Sequence, residues 1–283
     1  MIEQGNEEGG IDINCAERLG WFGMARSAGY MLGPALAAAL LTVFEPEVVF
    51  AAIGLISSCA FLPVLLLKNR RIPLRPSKSW RLQFKDALRS GFQTTELWFA
   101  GLLEFVVYIG LYSAKTFLPL YALQHNIPVL WVGLFFTTQE LMHLATRPFG
   151  GRLSDRTGYL PVTVAGMMLA AFSLGLMPFS TSTQTLLLLA IGIGLAQALI
   201  FPSIVALYAQ KIDSRHTGAG TGIIGSFKNA GKIAGPIIGG LIIHWHDFSW
   251  MLWSMAGLLA TWVLVLLLNP FSRKIFLIQW QSR

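Results

Sequence analysis

Charge is what this chain has least of. Only 12% of its 283 residues are Asp, Glu, Lys or Arg, about half the share that a soluble domain carries. With 54% hydrophobic residues, it cannot cover a globular surface with polar groups. Cysteine is almost missing as well. Cys15 lies in a polar stretch and Cys59 in an apolar run, which excludes a disulfide framework and a cysteine metal centre. No Ser-His-Asp order, His-x-x-Glu-His pair or phosphate-binding glycine loop stands out. The chain is therefore not expected to be an enzyme, and no cofactor or metal is expected. The first seventeen residues are acidic and polar, so no cleavable signal peptide is expected there.

Hydrophobic length is what the chain does have. Its apolar residues fall into blocks of about 20, as helices crossing a roughly 30 Å hydrocarbon core require. Eight spans are predicted, at 19–43, 47–67, 97–123, 129–149, 160–179, 184–208, 218–243 and 248–269. The expected fold class is all-α, a polytopic membrane protein in contact with the lipid bilayer.

The net charge of +7 raises the possibility of nucleic acid, but its distribution argues against that. The link 68–96 carries Lys68, Arg70, Arg71, Arg75, Lys78, Arg81, Lys85 and Arg89. Arg147, Arg152 and Arg156 mark the link 147–156, and Lys211 and Arg215 the link 209–217. The alternate links, at 44–46, 124–128, 180–183 and 244–247, hold no Lys or Arg. This asymmetry is the positive-inside pattern, and it places both termini in the cytoplasm of a cell-membrane protein. Within 68–96, Trp80, Phe84 and Leu88 share one helical period with Arg81, Lys85 and Arg89. A basic amphipathic helix on the cytoplasmic leaflet is expected there. The expected organisation is a cytoplasmic segment 1–18, two helices in 19–67, the linker 68–96, a six-helix bundle 97–269 and a cytoplasmic tail 270–283.

One stretch occurs twice. Gly23 to Ala38 matches Gly225 to Gly240 at an offset of 202 residues. At that register Arg26 meets Lys228, Gly29 meets Gly231, Gly33 meets Gly235 and Pro34 meets Pro236. Three glycines, a proline and a cation held in one register indicate an internal repeat. The small residues Gly29, Gly33, Gly231, Gly235, Gly239 and Gly240 are expected to let neighbouring helices approach closely. Pro34 is expected to kink its helix or free a carbonyl.

The polar residues inside the spans are few and aligned. Glu104, Tyr108, Tyr112 and Lys115 fall on one face of the third span. Glu140, His143 and Arg147 do so on the fourth. A charge at the bilayer centre costs about 2.5–3.5 kcal/mol even on a lenient scale, so these faces are expected to look into a bundle interior or a wet cavity. Gln197, Phe201, Lys228 and Lys232 are further candidates for that cavity, though aromatic residues at helical spacing also serve plain packing. Glu104 and Glu140 are candidates for proton exchange, because burial raises a carboxyl pKa unless a cation holds it ionised. The alternative is a static pair with Lys115, Arg147, Lys228 or Lys232. The cations in the spans outnumber the carboxylates. Either some of them snorkel or pair elsewhere, or the cavity binds an anion.

Gly151-Arg152-Leu-Ser-Asp155-Arg156-Thr-Gly158, in a link between two spans, resembles the G-x-L-a-D-R-x-G signature of the major facilitator superfamily. The repeated Gly-x-x-x-Gly-Pro stretch resembles that family's antiporter motif. The later copy keeps the full Gly235-Pro236-Ile-Ile-Gly239-Gly240, whereas the earlier one has Ala37-Ala38 in place of the last two glycines. The resemblance covers the chain as spans five to twelve of twelve. It implies a partial major-facilitator fold, with a complete C-terminal six-helix bundle and the last two helices of the N-terminal one. At the 202-residue offset, about a hundred residues and four spans of such a protein are expected to have no counterpart in this chain.

The resemblance implies alternating access around a mid-membrane site, with proton-coupled efflux of a small organic compound. Proton-coupled symport of an organic anion is one alternative. A truncated protein that does not transport and only docks on membrane partners is another. Asp155 is expected to act as a cytoplasmic latch near Arg18 and the first helix N-terminus, where carboxylates are favoured. The plainer alternative is that Asp155 and Arg156 cap a helix and fix topology.

Overall fold

The computed structural model describes residues 15–59, 61–62, 95–180, 182–209 and 217–268. Every regular element among them is helical. Eight α-helices follow in chain order: α1 (Cys15–Leu41), α2 (Pro46–Cys59), α3 (Thr95–Gln124), α4 (Val129–Thr157), α5 (Tyr159–Leu176), α6 (Thr183–Ala209), α7 (Thr217–Trp245) and α8 (Phe248–Leu268). A single 3-10 turn, Met177–Phe179, extends α5. The expected linker helix in 68–96 and the tail 270–283 lie outside the described residues.

Each helix coincides with one predicted span. Four segments are long and apolar enough to cross a membrane: Leu97–Gln124, Tyr159–Phe179, Thr183–Leu207 and Phe248–Leu268. Two of the other helices carry charges within them. The charges Glu140, Arg147, Arg152, Asp155 and Arg156 interrupt α4. Lys228 and Lys232 sit among glycines in α7. Among the described residues, α1 and α2 contribute the apolar stretches Ser27–Leu41 and Pro46–Cys59. Pro34, Pro119, Pro148, Pro202 and Pro236 lie inside helices that continue past them. Such prolines are tolerated where neighbouring helices and local adjustment satisfy the freed backbone groups.

The link expected at 147–156 is corrected by the fold, because α4 runs on to Thr157. Backbone hydrogen bonding outweighs the charges there, since Arg and Leu are good helix formers. The break comes at Gly158, with φ 104° and ψ 150°, a conformation open to glycine and strained for any other residue. The Gly158 N–H donates to Ser154 O at 2.9 Å, closing the last turn, and α5 begins at the next residue.

Packing arranges these helices in pairs. The closest partners are α4 with α6, α3 with α7, α5 with α6, and α1 with α4, while α8 lies on α5 and α3. Leu103, Met167, Leu174, Ile200, Met251, Leu252 and Leu259 form the centre of the core and are essentially sealed from the surface.

The later copy of the repeated stretch brings α7 onto the backbone of α3. A Cβ on Gly231 would stand 2.6 Å from Phe105 O, and one on Gly235 would stand 2.7 Å from Ile109 O. At Gly239 it would come within 3.2 Å of Ser113 and Phe117. Three α7 glycines one turn apart therefore lie on three α3 residues one turn apart. Ser113 Oγ donates to Gly235 O at 2.6 Å, which joins the two backbones directly.

The earlier copy packs differently among the described residues. A Cβ on Gly29 or Gly33 would meet nothing within 4 Å among the described residues. Instead, α1 presents Pro34 and Ala38 to Gly133 of α4, where an added Cβ would collide with both. The close approach here is made by the glycine of the partner helix.

Candidate functional site

The polar faces of the bundle meet in one place. On α3, Glu104, Tyr108, Tyr112 and Lys115 span about 16 Å of helix at 1.5 Å per residue. Glu140, His143 and Arg147 come from α4, Gln197 and Phe201 from α6, and Lys228 and Lys232 from α7. Together with Ser27 and Tyr30 of α1, they line a cavity of about 270 Å³. Every residue proposed from sequence for proton exchange or substrate contact is thus on this one surface. The residues of the Gly151–Gly158 motif are not. Gly151, Arg152, Asp155 and Arg156 occupy the end of α4, and the side chains of Arg152, Asp155 and Arg156 are exposed. The expected contact of Asp155 with Arg18 cannot be followed, because the Arg18 side chain lies outside the described residues.

Glu104 is the most deeply placed charge, with 5% of its surface exposed. Its Oε2 is buried and has no hydrogen-bond partner among the described residues. Glu140 stands opposite, its Oε2 3.5 Å from His143 Nδ1 one helical turn away. The other ring nitrogen, His143 Nε2, is buried and also lacks a partner among the described residues.

The lysines contact aromatic rings, and none makes an ion pair among the described residues. Lys228 Nζ lies 5.7 Å from the centre of the Tyr108 ring. Lys232 Nζ lies 5.4 Å from Tyr108 and 5.0 Å from Tyr112. Lys115 Nζ lies 5.7 Å from both Tyr112 and Phe136. Cation–π contacts of this kind stabilise an ammonium by about 0.5–2 kcal/mol, depending on desolvation.

The rings themselves form a wall. Tyr108 stacks on Phe201 at 5.1 Å with 24° between the planes, and Tyr112 lies 5.6 Å from Tyr108 at 42° to it. His143 meets the edge of Phe201 at 5.6 Å. The wall crosses from α3 over α6 to α4.

Sequence reasoning missed several groups here. Gln139 is buried, and its Nε2 donates to Gln197 Oε1 at 3.2 Å, tying α4 to α6. It lies one turn before His143, so the polar face of α4 could have been extended to include it. Tyr30 falls opposite Lys232 at the 202-residue offset, a register that also pointed to the cavity. Ser113 left no signal, because its role depends on which helix lies beside α3.

Similarity to known proteins agrees with this architecture. The uncharacterized MFS-type transporter YuxJ of Bacillus subtilis (strain 168) is 25% identical over 233 residues, 81% of this chain and 59% of its own length. The multidrug resistance protein MdtG of Proteus mirabilis (strain HI4320) is 26% identical over 60% of this chain and 45% of its own length. The quinolone resistance protein NorA of Staphylococcus aureus (strain MRSA252) is 24% identical over 58% of this chain and 43% of its own length. The chain spans about half the length of these curated relatives. The sequence profile of the Major Facilitator Superfamily matches it at residues 16–137 and again at 100–279. Those matches run through all eight helices and both copies of the repeated stretch, and the chain is a membrane protein that belongs to the Major Facilitator Superfamily.

Proposed function

We propose that this chain works in secondary active transport by alternating access, exporting a small organic compound across the cell membrane in exchange for protons. The observation that carries this reading is the Glu104 carboxyl, buried on the cavity wall with one oxygen lacking a partner among the described residues. An ionisable group at that depth costs several kcal/mol, and membrane proteins keep such groups where ions or substrates pass. Glu140, beside His143, is the second proton-exchanging group. It sits on a different helix, so rocking of the helices changes its access to either side. The outward direction is supported by the names of two relatives, a multidrug resistance protein and a quinolone resistance protein. In this reading both termini are cytoplasmic, and Asp155 latches the cytoplasmic end.

The test is transport of a fluorescent quinolone by the chain reconstituted in proteoliposomes. An imposed pH gradient should drive its movement. Glu140→Gln and Glu104→Gln should each abolish gradient-driven movement while sparing exchange of labelled for unlabelled compound. Full gradient-driven transport in both variants would refute the assignment of proton exchange to these carboxyls. No movement by the unaltered chain would favour a non-transporting membrane protein.

A further inference from the structure

Among the described residues, three lysines enter the cavity without an acid in contact with them. Lys228 and Lys232 stand one turn apart on α7, and Lys115 comes across from α3. Their nitrogens rest on Tyr108, Tyr112 and Phe136. A ring face lowers the cost of burying an ammonium, but it leaves the charge in place. Neither cavity carboxylate neutralises them by contact. Glu140 is engaged by His143, and Glu104 keeps an unpartnered oxygen. With Arg147, the cavity holds four cations against two carboxylates, in surroundings that screen charge poorly.

The uncharged part of the wall is planar and aromatic. Tyr108 and Phe201 lie nearly parallel, with Lys228 and Lys232 both within 5.7 Å of the Tyr108 ring centre. A compound seated on these rings brings its substituent directly to the two ammonium groups. The lining residues all sit inside helices, where backbone N–H groups are already bonded. Among the described residues, the cavity lining therefore has none of the helix N-termini and backbone nests that hold phosphate. Its volume is about 270 Å³.

We propose that this cavity is selective for planar aromatic monocarboxylates, with the ring on Tyr108 and Phe201 and the carboxylate held by Lys228 and Lys232. The proposal rests on the transport reading only in taking this cavity as the substrate site. An aromatic cation of the same shape meets the same rings and an opposing field.

The experiment is calorimetric titration of the full chain in lipid nanodiscs with three compounds that share one ring system: naphthoate, naphthylmethanol and naphthylmethylammonium. Naphthoate should bind about tenfold or more tighter than the alcohol, as a charge-assisted contact provides, and the ammonium compound should bind least. Lys232→Gln should weaken naphthoate about tenfold and move the alcohol less than about twofold, while Lys232→Arg retains most of the affinity. The unaltered alcohol affinity reports that the cavity is still folded, and the three-compound ranking on the unaltered chain decides the matter without any variant. Binding of the ammonium compound as tightly as naphthoate, or no binding of any of the three, overturns the proposal. Liposome flux separates the two readings. Naphthoate that binds but never moves counts against transport alone. An ammonium compound that moves while naphthoate is excluded counts against the selectivity alone.

Discussion

Replacing Gly235 by alanine tests how α3 and α7 are joined. The new Cβ would lie 2.7 Å from Ile109 O, so the helices must part by about 0.7 Å to reach ordinary contact. Backbone geometry fixes the Cβ, and Ile109 O is a backbone atom, so no rotamer change can absorb the shift. Overpacking of this kind costs about 1–3 kcal/mol. The Ser113 bond to Gly235 O, now 2.6 Å, stretches or breaks for about 0.6 kcal/mol more, the average for such bonds between membrane helices. Alanine offsets roughly 0.8–1.0 kcal/mol through its helix propensity. The net loss is about 1–3 kcal/mol, or roughly 2–12 °C in Tm at 2–4 °C per kcal/mol for a chain of this size. Gly33 is the register-matched control. A Cβ there meets nothing within 4 Å among the described residues, so Gly33→Ala should gain up to about 1 kcal/mol and raise Tm by a few degrees. Intrinsic tryptophan fluorescence during heating in detergent reads both. Equal shifts of the same sign at the two positions would refute the packing argument.

Gly158→Ala forces a side chain onto φ 104° and should destabilise by about 1–3 kcal/mol; an unchanged Tm would show that the α4–α5 corner relaxes freely. Gln139→Leu leaves Gln197 Oε1 without its donor and should cost about 1–3 kcal/mol. Adding Gln197→Leu should recover part of that loss, and a double variant less stable than the single one would argue against the pairing. Asp155→Asn should increase labelling of cysteines placed along the cytoplasmic half of the cavity, if Asp155 latches that end. Labelling identical to the parent chain removes the latch and leaves the residue a helix-end role.

Much of the architecture was legible because long apolar blocks leave a membrane helix few alternatives, and predicted spans and helices agree within a few residues for α3, α6 and α7. The exception is instructive. Gly150, Gly151 and three charges looked like a link, yet the helix carries on through them because Gly150 packs directly on the backbone of α6 at Ala198. Helical spacing also revealed that Glu104, Tyr108, Tyr112 and Lys115 share a face, since that depends on one helix alone. Properties that need two helices stayed hidden. The Gln139–Gln197 bond requires knowing that α4 lies on α6. The rings beneath Lys228 and Lys232 could not be told from the carboxylates weighed as their partners. The two copies of the glycine stretch read alike, but α3 covers one, and no described residue covers the other.

The glycine contact between α3 and α7 also decides which charges can move apart. Glu104, Tyr108, Tyr112 and Lys115 ride on one of these helices and Lys228 and Lys232 on the other, and Ser113 fastens the two at mid-length. The three lysines and their tyrosine bed are therefore held on one closely joined helix pair. Glu140, His143 and Phe201 belong to a second pair, α4 with α6, bonded through Gln139 and Gln197. Sliding one pair over the other would leave every lysine–tyrosine contact intact and shear the Tyr108–Phe201 stack. On the transport and ligand readings proposed above, such a slide would keep the hold on an anion constant and turn the grip on its ring on and off.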